Sequence, residues 1–174
     1  MLLKNETMAS GTVLPLQGRP KIYIENIAPE IAEQYGEVVA SEDDANFAIL
    51  RLETPFEPRD EYFLESFFHA GDLNFKEPEL NRILSIMERV PTIIDIYIDR
   101  PAVIPEIAEH CAGLVANFAA SDAAVLDVIF GRFKPTGKLP FELPSSMEAV
   151  KQQKLDTPHD SENPLFAYGF GLTY

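Results

Sequence analysis

Phe47-Ala48-Ile49-Leu50-Arg51-Leu52 is an almost unbroken apolar run, with acidic turn residues at Glu42-Asp43-Asp44 before it and Thr54-Pro55 after it. A run this short and this apolar reads as a strand covered on both faces, the condition of a strand inside a parallel sheet. Toward the N-terminus, Lys21-Ile22-Tyr23-Ile24-Glu25-Asn26 is a β-rich run ending in a loop. Pro29–Tyr35 has the composition of a short helix stopped by Gly36, and Glu37-Val38-Val39-Ala40 is a second short strand. Toward the C-terminus, Glu77–Val90 has helical spacing with Leu80, Ile83, Leu84 and Met87 on one face, and Pro91 ends it. Thr92–Ile98 is a strand, Ala102–His110 a short helix opened by Pro101, and Gly113–Phe118 a further strand. Ser121 caps a helix over Asp122–Phe130 that Gly131 terminates.

Strands alternating with helices predict an α/β fold: a mostly parallel sheet with helices on both faces, a flavodoxin-like α/β sandwich over residues 21–144. Residues 1–20, with Gly11, Pro15, Gly18 and Pro20 around a short apolar patch, read as an entry segment without regular structure. Residues 145–165 are polar and proline-containing and read as a surface excursion. The ending, Phe166–Tyr174, is too aromatic to stay in water and is expected to dock on the domain.

The 174 residues carry 14 Lys+Arg against 28 Asp+Glu, a net charge of −14. So acidic a chain is poorly suited to a nucleic-acid backbone or an anionic lipid surface, both of which are bound through Lys and Arg. The one cysteine, Cys111, allows neither an internal disulfide nor a thiolate zinc site. No apolar stretch approaches the roughly 20 residues of a membrane span. The first residues lack the features of a secretory signal, and localisation stays open. The glycines form no phosphate-cradling pattern, and no cofactor or metal is called for.

In open α/β sheets ligands bind beyond the carboxyl ends of the strands, so the segment leaving Leu52 is where chemistry is expected. Glu53–Lys76 is long for a loop and holds Glu53, Glu57, Asp60, Glu61, Glu65 and Asp72 interleaved with Arg59, His69 and several aromatics. Carboxylates and arginine bond hydroxyl groups while aromatic faces stack on sugar rings. On composition alone the plainer reading is preferred: a charged surface loop whose phenylalanines pack on their own domain. His69 reads first as a hydrogen-bonded structural histidine, and His110-Cys111 as packing.

Several ordered stretches together resemble the second, C-terminal domain of glycoside hydrolase family 3, the β-glucosidase, β-xylosidase and N-acetylglucosaminidase group. Leu2-Leu3-Lys4-Asn5 with Leu14-Pro15-Leu16 resembles the segment by which those enzymes leave their catalytic barrel. Asp99-Arg100-Pro101 resembles the family's Gly-Arg-Pro strand-end turn. Asp127–Gly131 with Pro135–Pro140 resembles the family's most specific block, D-V-L-F-G followed by P-S-G-K-L-P, and Phe166–Tyr174 its F-G-Y-G-L-S/T-Y ending.

The resemblance implies retaining hydrolysis of a β-linked glycoside by two carboxyl groups about 5–5.5 Å apart. The nucleophile of that pair stands on a preceding (β/α)8 barrel, so this chain is expected to be one piece of a longer enzyme, inactive alone. Glu53-Thr54-Pro55-Phe56-Glu57-Pro58 resembles the E-x-P-Y-x-E stretch that carries the acid/base in many members, with its final glutamate one position early. An insertion separates it from Gly71-Asp72-Leu73-Asn74, which resembles the family's G-D-N-L element. Glu57 is the first choice for the acid/base, with Glu61 or Glu65 if the insertion shifts the register. Branches that recruit a His-Asp pair from the barrel use none of the three. Arg59, His69 and Asp72 are candidate substrate contacts, with loop-fixing salt bridges as the competing role. The alternative function is a non-catalytic carbohydrate-binding or protein-interaction module, and an independent enzyme built on His69 or Cys111 lacks a motif. With the barrel absent, residues 54–76 are expected to be poorly ordered, or held by a neighbour in a dimer.

Overall fold

The computed structural model describes residues 1–9, 11–59 and 61–174. Five parallel strands, β4 (Lys21–Glu25), β5 (Glu37–Val38), β6 (Phe47–Glu53), β7 (Thr92–Tyr97) and β8 (Gly113–Asn117), lie in the order β5-β4-β6-β7-β8. Counted within the parallel set this is 2-1-3-4-5, the flavodoxin-like order. The fold class expected from the sequence is the one observed. Ile49 pairs with Ile93 and Leu50 with Ile94 across β6 and β7, and all four are fully buried. Branched aliphatic side chains of this kind, three of the four β-branched, fill a pleated surface that is covered above and below.

Because successive strand residues point to opposite faces, one sequence feeds two cores. On one face Ala48, Leu50, Leu52, Ile94, Ile96 and Leu114 pack against α2 (Glu79–Arg89) and α3 (Pro105–His110). On the other, Ile22, Ile49, Ile93 and Val115 pack against α1 (Pro29–Ala32) and α4 (Asp122–Ile129). Ser121 caps α4 by accepting from Ala124 N, and Gly131 follows with φ +75°. Its α-carbon lies so close to Pro15 that a side chain would collide with the ring.

Three expectations are corrected, and the surface excursion gains a helix. Residues 1–20 are not free of regular structure: β1 (Leu2–Asn5) adds antiparallel to the outer edge of β8. Leu2 and Leu3 point to opposite faces and enter the two cores separately. The backbone groups of an edge strand need partners, and β1 supplies them. A small hairpin, β2 (Thr7–Met8) with β3 (Gly11–Thr12), and a two-way amide bond between Asn5 and Leu14 continue the segment into the core. The stretch 145–165 contains α5 (Met147–Gln152), capped by Ser146. α3 begins at Pro105 rather than Ala102, because Val103 is used as extended backbone that bonds Leu73 and bridges Asn74. α1 ends at Ala32, short of Tyr35.

The last residues lie against the domain through backbone bonds of Leu143 with Phe166, Leu139 with Phe170, and Leu172 with Leu2. Among the described residues no helix is long and apolar enough to cross a membrane.

Candidate functional site

The order of the parallel strands reverses at β4, between β5 and β6, and such a reversal opens a crevice at the carboxyl ends of the strands. A cleft of about 790 Å³ lies there, lined among others by Asn26, Arg51, Glu53, Glu79, Tyr97 and Ala120. Beneath it sits a polar cluster on the α1/α4 face, one step beyond the apolar pair Ile49 and Ile93. Arg51 and Asp95 face each other in register across β6 and β7, with Nε to Oδ2 at 3.0 Å. The Arg51 fork also bonds Asp122 at the start of α4 and the carbonyl of Ala120. Asn117 donates from Nδ2 to both Asp95 oxygens at 2.9 and 3.0 Å, and its side-chain Oδ1 accepts from Ala120 N. Burial pushes the Asp95 carboxyl up from its ordinary value, while Asn117 and the Arg51 charge pull it down. The cluster therefore ties the ends of β6, β7 and β8 to the first turn of α4. None of Arg51, Asp95, Asn117 and Asp122 was singled out from the sequence. The available signal was one charge of each sign inside two otherwise apolar strands.

The long connection leaves β6 at Glu53. Thr54 N and Oγ1 both donate to Tyr97 O at 3.0 Å, so the first step of the loop still follows β7. Glu57 N then donates to Ala70 O at 2.8 Å in an isolated antiparallel bridge. Residues 58–69 are thus an insertion whose two ends are brought back together at its base. Gly71, with φ +81°, lies directly under the Glu57 side chain, and a β-carbon there would overlap its carboxyl group.

The strand-end turn after β7 grips both limbs of this base. Asp99 Oδ2 meets His69 Nδ1 at 2.5 Å, and the His69 ring stacks on Phe56 with centroids 3.8 Å apart and planes 9° from parallel. Arg100 donates from Nη2 to Gly71 O at 2.5 Å. His69 is therefore hydrogen-bonded, as its plainer reading had it.

The other candidates are dispersed. Arg59 and Glu61 stand exposed on the insertion, and Glu65 accepts from Tyr62 N within a local turn. Asp72 pairs with Lys76, whose ammonium holds its carboxyl below the usual carboxylate range. Asp60 lies outside the described residues. The expectation that the phenylalanines pack on their own domain is met by Phe75, which joins the α2/α3 core, and fails for the insertion. There Tyr62, Phe63, Leu64, Phe67 and Phe68 are each more than 60% exposed.

The comparisons with known proteins agree with this architecture. Residues 24–174 match the family model described as the glycosyl hydrolase family 3 C-terminal domain. The chain belongs to that family. Over 169 residues it is 47% identical to β-glucosidase C of Emericella nidulans, covering 94% of this chain and 27% of the relative. It is 36% identical over 171 residues to the periplasmic β-glucosidase/β-xylosidase of Dickeya chrysanthemi, covering 96% of this chain and 26% of the relative. The fold is that of a β-glucosidase structure from Erythrobacter marinus, with a TM-score of 0.73 at 19% identity over 99% of this chain and 33% of that one. The family 3 domain described here thus spans about a quarter of the length of the curated relatives it matches.

Proposed function

We propose that this family 3 domain closes the substrate cleft of a retaining, exo-acting β-glycosidase, with Glu57 as its acid/base. A (β/α)8 barrel carrying the nucleophile would supply the other half. The observation that carries the reading is the bridge between Glu57 and Ala70. It closes the insertion at its base, so Glu57 keeps its place beside Gly71-Asp72-Leu73-Asn74 whatever the insertion contains. Glu61 and Glu65 stand out on the insertion, away from that base, and Glu65 is occupied by Tyr62 N.

In this mechanism one carboxylate attacks the anomeric carbon while Glu57 gives its proton to the leaving oxygen. Glu57 then takes a proton from the water that hydrolyses the glycosyl-enzyme. A general acid has to hold its proton near neutral pH, which requires removal from water. Glu57 is exposed on this chain, so the covering surface would come from the barrel. The exposed aromatics of the insertion give such a surface something to cover. Arg59, and His69 through the Nε2 left over from its bond to Asp99, are available to sugar hydroxyls, while Asp72 orders the loop with Lys76.

The test is activity on a β-glucoside in the full-length enzyme. Glu57→Ala is expected to lose roughly 10²–10⁴-fold, the usual contribution of a positioned acid/base, and to recover with added azide. Glu61→Ala and Glu65→Ala are expected to stay within a few-fold. Full activity of Glu57→Ala would reject the assignment. For the isolated chain, titration calorimetry with glucosides is expected to give no binding. Strong binding there would favour the non-catalytic module.

A further inference from the structure

Two consecutive residues after β7 hold the loop base on both sides of the residue that bridges Glu57. Ala70 is that partner, and its neighbours are His69, bonded to Asp99, and Gly71, bonded to Arg100. The residue before Glu57, Phe56, is stacked on the same His69 ring. Arg100 O also accepts from Thr54 Oγ1 at 3.4 Å, which ties the outgoing limb to the same turn. The peptide that carries Glu57 is therefore located by β7, not by the strand from which it grows.

Arg100 has more to give than it uses. Its Nη1 is buried and has no hydrogen-bond partner among the described residues. A buried donor left unpaired is costly, so such groups call for an acceptor in some working state. The Glu57 carboxyl group lies on Gly71, the residue whose carbonyl Arg100 already binds. A guanidinium offers parallel N–H groups in a fixed fork and can hold a carbonyl with one and a carboxylate with the other.

We propose that Arg100 is the positioning residue of Glu57: Nη2 fixes Gly71 beneath the carboxylate, Nη1 is the donor reserved for the carboxylate in the covered cleft, and the Asp99–His69–Phe56 stack holds the neighbouring limb. The inference rests on Glu57 being the acid/base. It accounts for Gly71 as well, since any side chain there would displace the group that Arg100 orients.

The experiment compares kcat/KM in the full-length enzyme for an alkyl β-glucoside, whose departure needs a proton donor, and a dinitrophenyl β-glucoside, whose departure does not. Arg100→Met is expected to lower the first roughly 100-fold, the effect of misplacing a reacting group by about 1 Å, and the second by no more than about 3-fold. Arg100→Lys, with a single donor nitrogen in place of a planar fork, is expected to fall between, and Asp99→Asn to give a smaller split of the same sense. Equal losses on both substrates, or none, would overturn the proposal. If Arg100→Met does not fold, the split in Arg100→Lys decides in its place. Glu57→Ala run alongside separates the two claims. Absence of a split there defeats the acid/base assignment, whereas a split in Glu57→Ala without one in the Arg100 variants defeats only the positioning role.

Discussion

Strand β6 and the insertion that follows it are both rich in apolar side chains, yet they end in opposite environments. Ala48, Ile49, Leu50 and Leu52 are at most 5% exposed, while Phe63 is 80% exposed and its neighbours are little less. The difference lies in what surrounds each segment. β6 has β4 on one side, β7 on the other and a helical layer on each face. Phe63 has Phe67, edge-on at 5.4 Å, and open solvent beyond. Apolar composition creates a demand for burial, and neighbours decide whether this chain alone can meet it. By this contrast the strand region is complete as it stands and the insertion is not.

The sharpest way to break the contrast is to remove a charge from the completed region. Asp95→Ala leaves the Arg51 and Asn117 groups that now face it without their partner, and is expected to cost about 3–5 kcal/mol in urea unfolding, as breaking a buried pair does. A loss under 1 kcal/mol would mean that the cluster beneath the cleft contributes little to holding the strand ends. Next in size is an alkaline effect. Burial pushes the Cys111 thiol up to about 12. The folded state thus keeps a proton that the unfolded chain gives up near pH 9, so this contribution is complete below pH 9 and lost as pH rises toward 12. Between the two pKa values the slope approaches about 1.4 kcal/mol per pH unit. Unfolding midpoints between pH 9 and 11 should fall less steeply for Cys111→Ala, and equal slopes would contradict a core closed to solvent at that position. The smallest effect belongs to the insertion, where Phe63→Ser with Phe67→Ser should change the stability of the isolated chain by no more than about 0.5 kcal/mol. The same pair should reduce any self-association seen by sedimentation. A large loss of stability would show that the insertion is part of the domain's own core after all.

Much of this was legible along the chain. Strands β4, β6, β7 and β8 announced themselves as short apolar runs between turn residues, and the helices by spacing and by Pro, Ser and Gly at their ends. The family showed in ordered motifs from Asp99-Arg100-Pro101 to the closing aromatics. What escaped has a common physical origin. Leu2–Asn5 has only two apolar residues in sequence and no pattern that marks a strand, and becomes one because β8, more than a hundred residues away, has a free edge. Ala102–Ile104 reads as the first turn of α3 from Pro101, but is held extended by Leu73 and Asn74, as its β-branched Val103 and Ile104 favour. Asp99 and Arg100 read as a turn, and their grip on His69 and Gly71 depends on two loops meeting at one end of the sheet.

By itself, then, the order of residues determined the α/β class, the position of the strands and the loop on which Glu57 stands, because apolar period and turn chemistry act over a few neighbours. Tertiary structure alone decided that Arg51 faces Asp95, that the insertion closes at Ala70, and that one arginine reaches the glycine under Glu57. Those are contacts between residues more than ten positions apart, and no local preference encodes them.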